Sequence, residues 1–142
     1  MSQPMKFKKS DCIKLNQFYK RNKDKARAKP NDLMFTAIND NQEIVAVLRL
    51  LPYDGFLLLR SVLTAQPHRG KGIASQLIQQ ATAHYLERIY TLPTPDALSL
   101  YRRLGFISVA PAEIPAALLV SYQRIRHSAN AAAVMVLDKR LG

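Results

Sequence analysis

The sequence predicts a mixed α/β fold in which one mostly antiparallel sheet carries helices on both faces, and three observations lead there. Strand-like runs cover residues 33–38, 43–51 and 55–64, separated by Asn39-Asp40-Asn41-Gln42 and Pro52-Tyr53-Asp54-Gly55. Turn-forming residues between apolar runs most simply make an antiparallel meander. From Ile73 the apolar positions switch to helical spacing, and short strand and helix patterns then alternate to the end. Each element has one apolar face to cover, so a sheet layered with helices is the arrangement that satisfies all of them.

Residues 5–9 predict a short first strand. Ser10-Asp11, standing before Ile13, Leu15, Phe18 and Tyr19, predicts a helix with an apolar stripe whose first turn is capped by a short polar side chain. Residues 22–31 are polar and close on Lys29-Pro30-Asn31, which predicts a loop or a second short helix. After the meander, Ile73, Leu77, Ile78, Ala81 and Tyr85 predict a helix that packs on the sheet. Residues 88–92 predict a strand, 95–104 a short helix stopped by Gly105, and 106–109 another strand. Alternation over residues 133–139 predicts the last strand, whereas residues 111–130 carry no decisive period.

Size and composition bound the function. At 142 residues with 48% hydrophobic content, residues 1–142 form one predicted domain able to bury a core without metal or disulfide. The lone Cys12 excludes an internal disulfide and a cysteine-based zinc site, so no metal is expected. Neither a signal-peptide core nor an apolar run of about 18 residues is present, and the expectation is a cytoplasmic protein with no membrane partner. The formal charge of +11 is concentrated early, where ten Lys and Arg between Lys6 and Lys29 face only Asp11 and Asp24. Such a stretch is either a solvated helix face with a basic loop, or an attractant for an acidic substrate, an acidic protein tail or nucleic acid.

The chemistry is concentrated in Arg69-Gly70-Lys71-Gly72-Ile73-Ala74, between a predicted strand and a predicted helix. A strand that breaks into a glycine-bearing turn and then opens a helix presents unpaired amides at the positive end of a helix dipole, which suits phosphate. Spacing excludes two familiar phosphate loops. A P-loop requires Gly-Lys-Ser/Thr, and the dinucleotide fingerprint requires a third glycine where this chain has Ser75. An ordinary tight turn is the competing structural reading.

Arg69, Gly72 and Ala74 match an R/Q-x-x-G-x-G/A pattern, and residues 97–106 end a tyrosine-bearing segment in Leu-Gly-Phe. These two motifs, in this order and about thirty residues apart, resemble the signatures of the GNAT N-acetyltransferase superfamily. The compatible pattern runs over residues 33–139, most of the chain. That resemblance implies two central parallel strands that splay apart, with acetyl-CoA as co-substrate in the gap. It further implies that Val62, Leu63 and Thr64 lie along the pantetheine arm, that Gly70, Lys71, Gly72, Ile73, Ala74 and Ser75 hold the diphosphate through backbone amides, and that Arg69 belongs to the same cofactor site. Lys71 is either a phosphate contact or a solvated side chain, and His68 is expected to be exposed rather than catalytic. Gly72 suits close approach because it lacks a Cβ.

The implied reaction is direct attack by a neutral primary amine on the thioester carbonyl, without an acyl-enzyme. It requires removal of the ammonium proton, donors for the oxyanion and an acid for the departing thiolate. The resemblance makes Tyr101 the acid; the alternative is a packed aromatic. Two departures from the family pattern stand out. Thr94, flanked by Pro93 and Pro95, occupies the place of an asparagine that contacts the cofactor, so its contact is expected only through a hydroxyl. No carboxylate lies in residues 55–64, and nothing in the sequence brings Glu43, Asp54 or Asp96 to the thioester, which leaves water, or a substrate already partly neutral, in place of a base. The expected partner is an amine-bearing small molecule or peptide rather than nucleic acid, anionic if residues 10–31 recruit it, and the expected state is a monomer or homodimer. The alternative from another class is a non-catalytic module whose basic N-terminal region binds nucleic acid or an acidic partner.

Overall fold

The structure, a computed structural model, describes residues 5–128 and 133–141. Among them, β1 (Lys6–Lys9), β2 (Leu33–Ile38), β3 (Ile44–Tyr53), β4 (Phe56–Thr64), β5 (Arg88–Thr91), β6 (Ile107–Ser108) and β7 (Met135–Leu137) form a mostly antiparallel sheet of order β1-β2-β3-β4-β5-β7-β6. The α-helices are α1 (Cys12–Arg21), α2 (Ile73–Thr82), α3 (Leu98–Arg103) and α4 (Ala116–Ser128). No described helix is long and apolar enough to cross a membrane. Contacts gather the described residues into two compact units, 5–52 with 59–85, and 53–58 with 86–128 and 133–141.

In the first unit, β1 pairs antiparallel with β2 and β2 with β3. The cap on α1 is the predicted one: Asp11 Oδ1 accepts from the Lys14 amide at 2.9 Å. Leu15, Phe18 and Tyr19 are buried in a cluster with Ala28, Met34 and Val47. Ile13, expected on that stripe, is 68% exposed, because two residues before Leu15 is the far side of a 3.6-residue helix. Met34 faces α1, while its neighbour Phe35 packs its ring against His84 and Tyr85 just after α2. Adjacent strand residues point to opposite faces, so α1 and the end of α2 cover opposite sides of β2. Residues 22–31 form a loop with turns and no helix. It is sealed to α1 by Asn16, whose amide group accepts from the Ala28 amide at 2.7 Å and donates to the Ala28 carbonyl at 3.0 Å.

Strand β4 departs from regular geometry at Ser61, whose φ is +56°. Left-handed backbone at a non-glycine residue costs roughly 1–3 kcal/mol and persists only where surrounding contacts impose it. The strand is fully buried over Phe56 to Leu59 and half-exposed from Arg60 to Thr64, although it lies in the middle of the sheet order.

In the second unit, β7 pairs antiparallel with both β5 and β6, so those two run parallel to each other on either side of it. Phe56 stacks on Tyr53 and meets Tyr90 edge-on. Asp138, held by Arg140 at 3.1 Å and Arg88 at 2.8 Å, ties the end of β7 to the start of β5. The Arg140 hydrogen bond leads the effects that hold its carboxyl well below the usual carboxylate range. The helix expected over 95–104 divides into a 3-10 turn, Pro95–Ala97, followed by α3. Gly105, at φ +96°, stops it as predicted. Strand β6 is only two residues long, and the unpatterned stretch 111–130 contains α4, anchored by the fully buried Leu118.

Candidate active site

The loop after β4 has the geometry of an anion cradle. A 3-10 turn, Gln66–His68, lifts the chain off the strand, and Arg69 Nε reaches back to donate to the Thr64 carbonyl at 2.9 Å. Gly70 and Gly72 then both adopt left-handed backbone, φ +79° and +77°. Glycine is favoured at these positions for that reason, and a Cβ on either would meet no atom within 4 Å. The expected close approach is therefore not to the protein itself; open space lies beside both residues.

Gly72 is the N-terminal cap of α2 and offers no side chain to its first turn. The first internal bond of α2 runs from Gln76 to the Gly72 carbonyl, and the amides of Gly70, Lys71, Gly72, Ile73, Ala74 and Ser75 have no hydrogen-bond partner among the described residues. Six free donors at the positive end of a helix, in a turn with alternating left-handed residues, form a concave seat for an anion. Ile73 buries its side chain, which fixes the helix start, while Lys71 is exposed. These donors come after Val62, Leu63 and Thr64, the half-exposed end of β4, with only Ala65, the 3-10 turn and Arg69 between.

A pocket of about 550 Å³, lined in part by Phe18, Arg21, Glu43, Ala65 and His68, opens where α1 ends beside the end of β4. The Arg21 guanidinium lies 5.7 Å over the Phe18 ring. His68, expected to be exposed, is half-buried in this wall. Sequence periodicity gave no sign of the pocket, since its walls come from three separate segments.

The second unit carries Tyr101 and Thr94. Tyr101 is only 7% exposed; its ring meets Phe106 edge-on with centroids 5.3 Å apart, and its hydroxyl shares a hydrogen bond with the buried Thr91 side chain. Burial pushes the Tyr101 phenol up, with the Thr91 bond opposing, so the ring keeps its proton across the neutral range. Gly105 allows the turn that brings Phe106 back, where its amide donates to the Tyr101 carbonyl at 3.0 Å. Thr94 is exposed and caps no amide with its hydroxyl. Leu100 and Leu104, on the same short helix and its end, are only half-buried. Glu43, Asp54 and Asp96 are all exposed, and Glu43 accepts from Asn39 Nδ2 at 3.2 Å.

Residues 6–106 match the Acetyltransferase (GNAT) family, and the chain belongs to it. Members of this family transfer acyl groups from acetyl-CoA. No match was found among curated proteins. The fold recurs in solved structures of low sequence identity. A chimera of spermidine N-acetyltransferase SpeG from Vibrio cholerae and hSSAT is 20% identical, with a TM-score of 0.60 over 77% of this chain and 83% of that one. A GNAT-family acetyltransferase from Staphylococcus aureus Mu50 is 15% identical, with a TM-score of 0.58 over 79% and 90%. N-acetylglutamate synthase from Neisseria gonorrhoeae, complexed with coenzyme A and N-acetyl-glutamate, is 10% identical, with a TM-score of 0.69. The match covers 96% of this chain but only 35% of that synthase.

Proposed function

We propose that this protein is an acetyl-CoA-dependent N-acetyltransferase that passes the acetyl group directly to the primary amine of a small molecule or peptide. The observation that carries the reading is the set of unpaired amides from Gly70 to Ser75, opened by two left-handed glycines at the start of α2. In this reading acetyl-CoA supplies the activated acetyl group, Gly70 to Ser75 take its diphosphate, and Val62, Leu63 and Thr64 line the arm. Arg69 fixes the loop to the end of β4 through the Thr64 carbonyl. Thr94 offers a hydroxyl in place of an amide.

Tyr101 is the general acid for the thiolate. Its raised pKa favours the protonated phenol, and the Thr91 hydroxyl holds its orientation. With the candidate carboxylates exposed and otherwise engaged or distant in sequence from the arm, water takes the ammonium proton. The acceptor belongs beside α1, where the pocket presents Arg21 to an anionic group. Isothermal titration with acetyl-CoA, followed by thiol release over a panel of amines, tests the whole reading. Binding with turnover of at least one amine is expected; absence of both would sink it.

A further inference from the structure

Ser61 sits where β4 changes from buried to half-exposed, directly before Val62, Leu63 and Thr64, and two side chains converge on it, one of them braced by a third. The Tyr19 hydroxyl, from α1, donates to the Ser61 carbonyl at 2.8 Å. Arg49, from β3, places Nη2 3.2 Å from the Ser61 hydroxyl and Nη1 3.0 Å from Asp32 Oδ2. Asp32 is itself fixed, since the same oxygen accepts from the Lys29 amide at 2.9 Å. Arg49 Nε is buried and has no partner among the described residues. A guanidinium free to choose its orientation would not leave a buried donor unpaired, so its position answers to Ser61 and Asp32. Nothing in catalysis as described so far uses Tyr19, Arg49 or Asp32, yet together they hold both the main chain and the side chain of the one left-handed residue in the strand.

We propose that Tyr19 and Arg49 are positioning residues for acyl transfer, which lock the kink at Ser61 and thereby set the direction of the strand segment that receives the thioester arm. The inference rests on the reading of Val62, Leu63 and Thr64 as that segment. A left-handed residue shifts the alternation of everything after it, so relaxing Ser61 into ordinary extended backbone would turn the carbonyls and amides of the next three residues to new directions. The diphosphate seat, built from later residues, would be left intact. Loss of the clamp should therefore separate catalysis from binding.

Tyr19→Phe keeps the buried ring and removes the donor. We expect kcat to fall about tenfold or more, as small misplacements of reacting groups do, while the Kd for acetyl-CoA stays within about threefold. Arg49→Lys keeps a charge opposite Asp32 but loses the fork that reaches Ser61, and the same split is expected. Ser61→Gly makes the left-handed conformation inexpensive, so combining it with Tyr19→Phe should restore most of the lost kcat. A merely structural Tyr19 would lower the melting temperature without this rescue. Wild-type kcat in Tyr19→Phe, or a loss that Ser61→Gly leaves unrepaired in folded protein, overturns the clamp alone. Wild-type protein that turns over no amine overturns the acyl-transfer reading and the clamp with it.

Discussion

Gly72→Glu puts the cofactor seat to its most direct test. Gly72 has φ +77° and ψ 11°, and a Cβ there meets no atom within 4 Å. The substitution therefore costs only the backbone preference of a non-glycine residue, about 1–2 kcal/mol. A carboxylate at the N-terminus of α2 recovers about 0.3–1 kcal/mol through the helix dipole. The free protein should thus lose roughly 1 kcal/mol, a few degrees in Tm for a chain of this size. Cofactor binding should be abolished, because the side chain enters the open space beside the six amides and its charge opposes the diphosphate. Thermal unfolding with and without acetyl-CoA separates the two effects. At a ligand concentration about 100-fold above Kd, mass action stabilises the wild type by about 2.7 kcal/mol, roughly 5–10 °C, while the variant should show no shift. A ligand-induced shift equal to wild type in Gly72→Glu would mean that the diphosphate lies elsewhere.

Three further outcomes are expected. Tyr101→Phe should lower kcat while leaving acetyl-CoA affinity near wild type, measured by thiol release and titration; an unchanged rate removes the phenol from proton transfer. Tyr19, pushed up to about 12 chiefly by burial, binds its proton more tightly folded than unfolded. Its contribution, roughly 2 kcal/mol, is complete below pH 10 and disappears as pH rises from 10 through 12. Urea unfolding between pH 8 and 11.5 should show that decline in the wild type and a shallower one in Tyr19→Phe; parallel slopes would contradict it. Leu118→Ala, at a fully buried site in α4, should cost about 2–5 kcal/mol by denaturant midpoint. A change below about 0.5 kcal/mol would show that α4 is not anchored there.

What the sequence made legible was what local chemistry decides. Strand β2 begins and ends where its apolar run does, and Asp11 caps α1 because a carboxylate three residues before a free amide has one obvious partner. The loop was readable for the same reason: only glycine accepts left-handed backbone cheaply, so two glycines before a helical pattern announce the turn. Helix α4 was hidden because its polar and apolar residues do not separate into faces; Leu118 is fully buried while Val120, two residues on, is 60% exposed. Ser61 was hidden because serine carries no mark of positive φ, and the groups that impose it come from residues 12 and 42 positions away. The Thr91 partner of Tyr101 was equally invisible, since a pairing ten residues distant leaves no periodic trace.

The proposed diphosphate seat is made of peptide groups rather than side chains, and that bears on how the protein can change over time. Every residue type except proline brings the same N–H, so substitutions at Lys71, Ala74 or Ser75 leave the donors in place provided that Gly70 and Gly72 keep their backbone twist. Under the proposed function, recognition of the carrier is buffered against most single replacements, whereas the pocket beside α1, built from Arg21, Glu43 and other side chains, alters with each one. If that pocket receives the acceptor, as proposed, a lineage with this architecture can exchange one amine for another while its donor of acetyl groups stays the same.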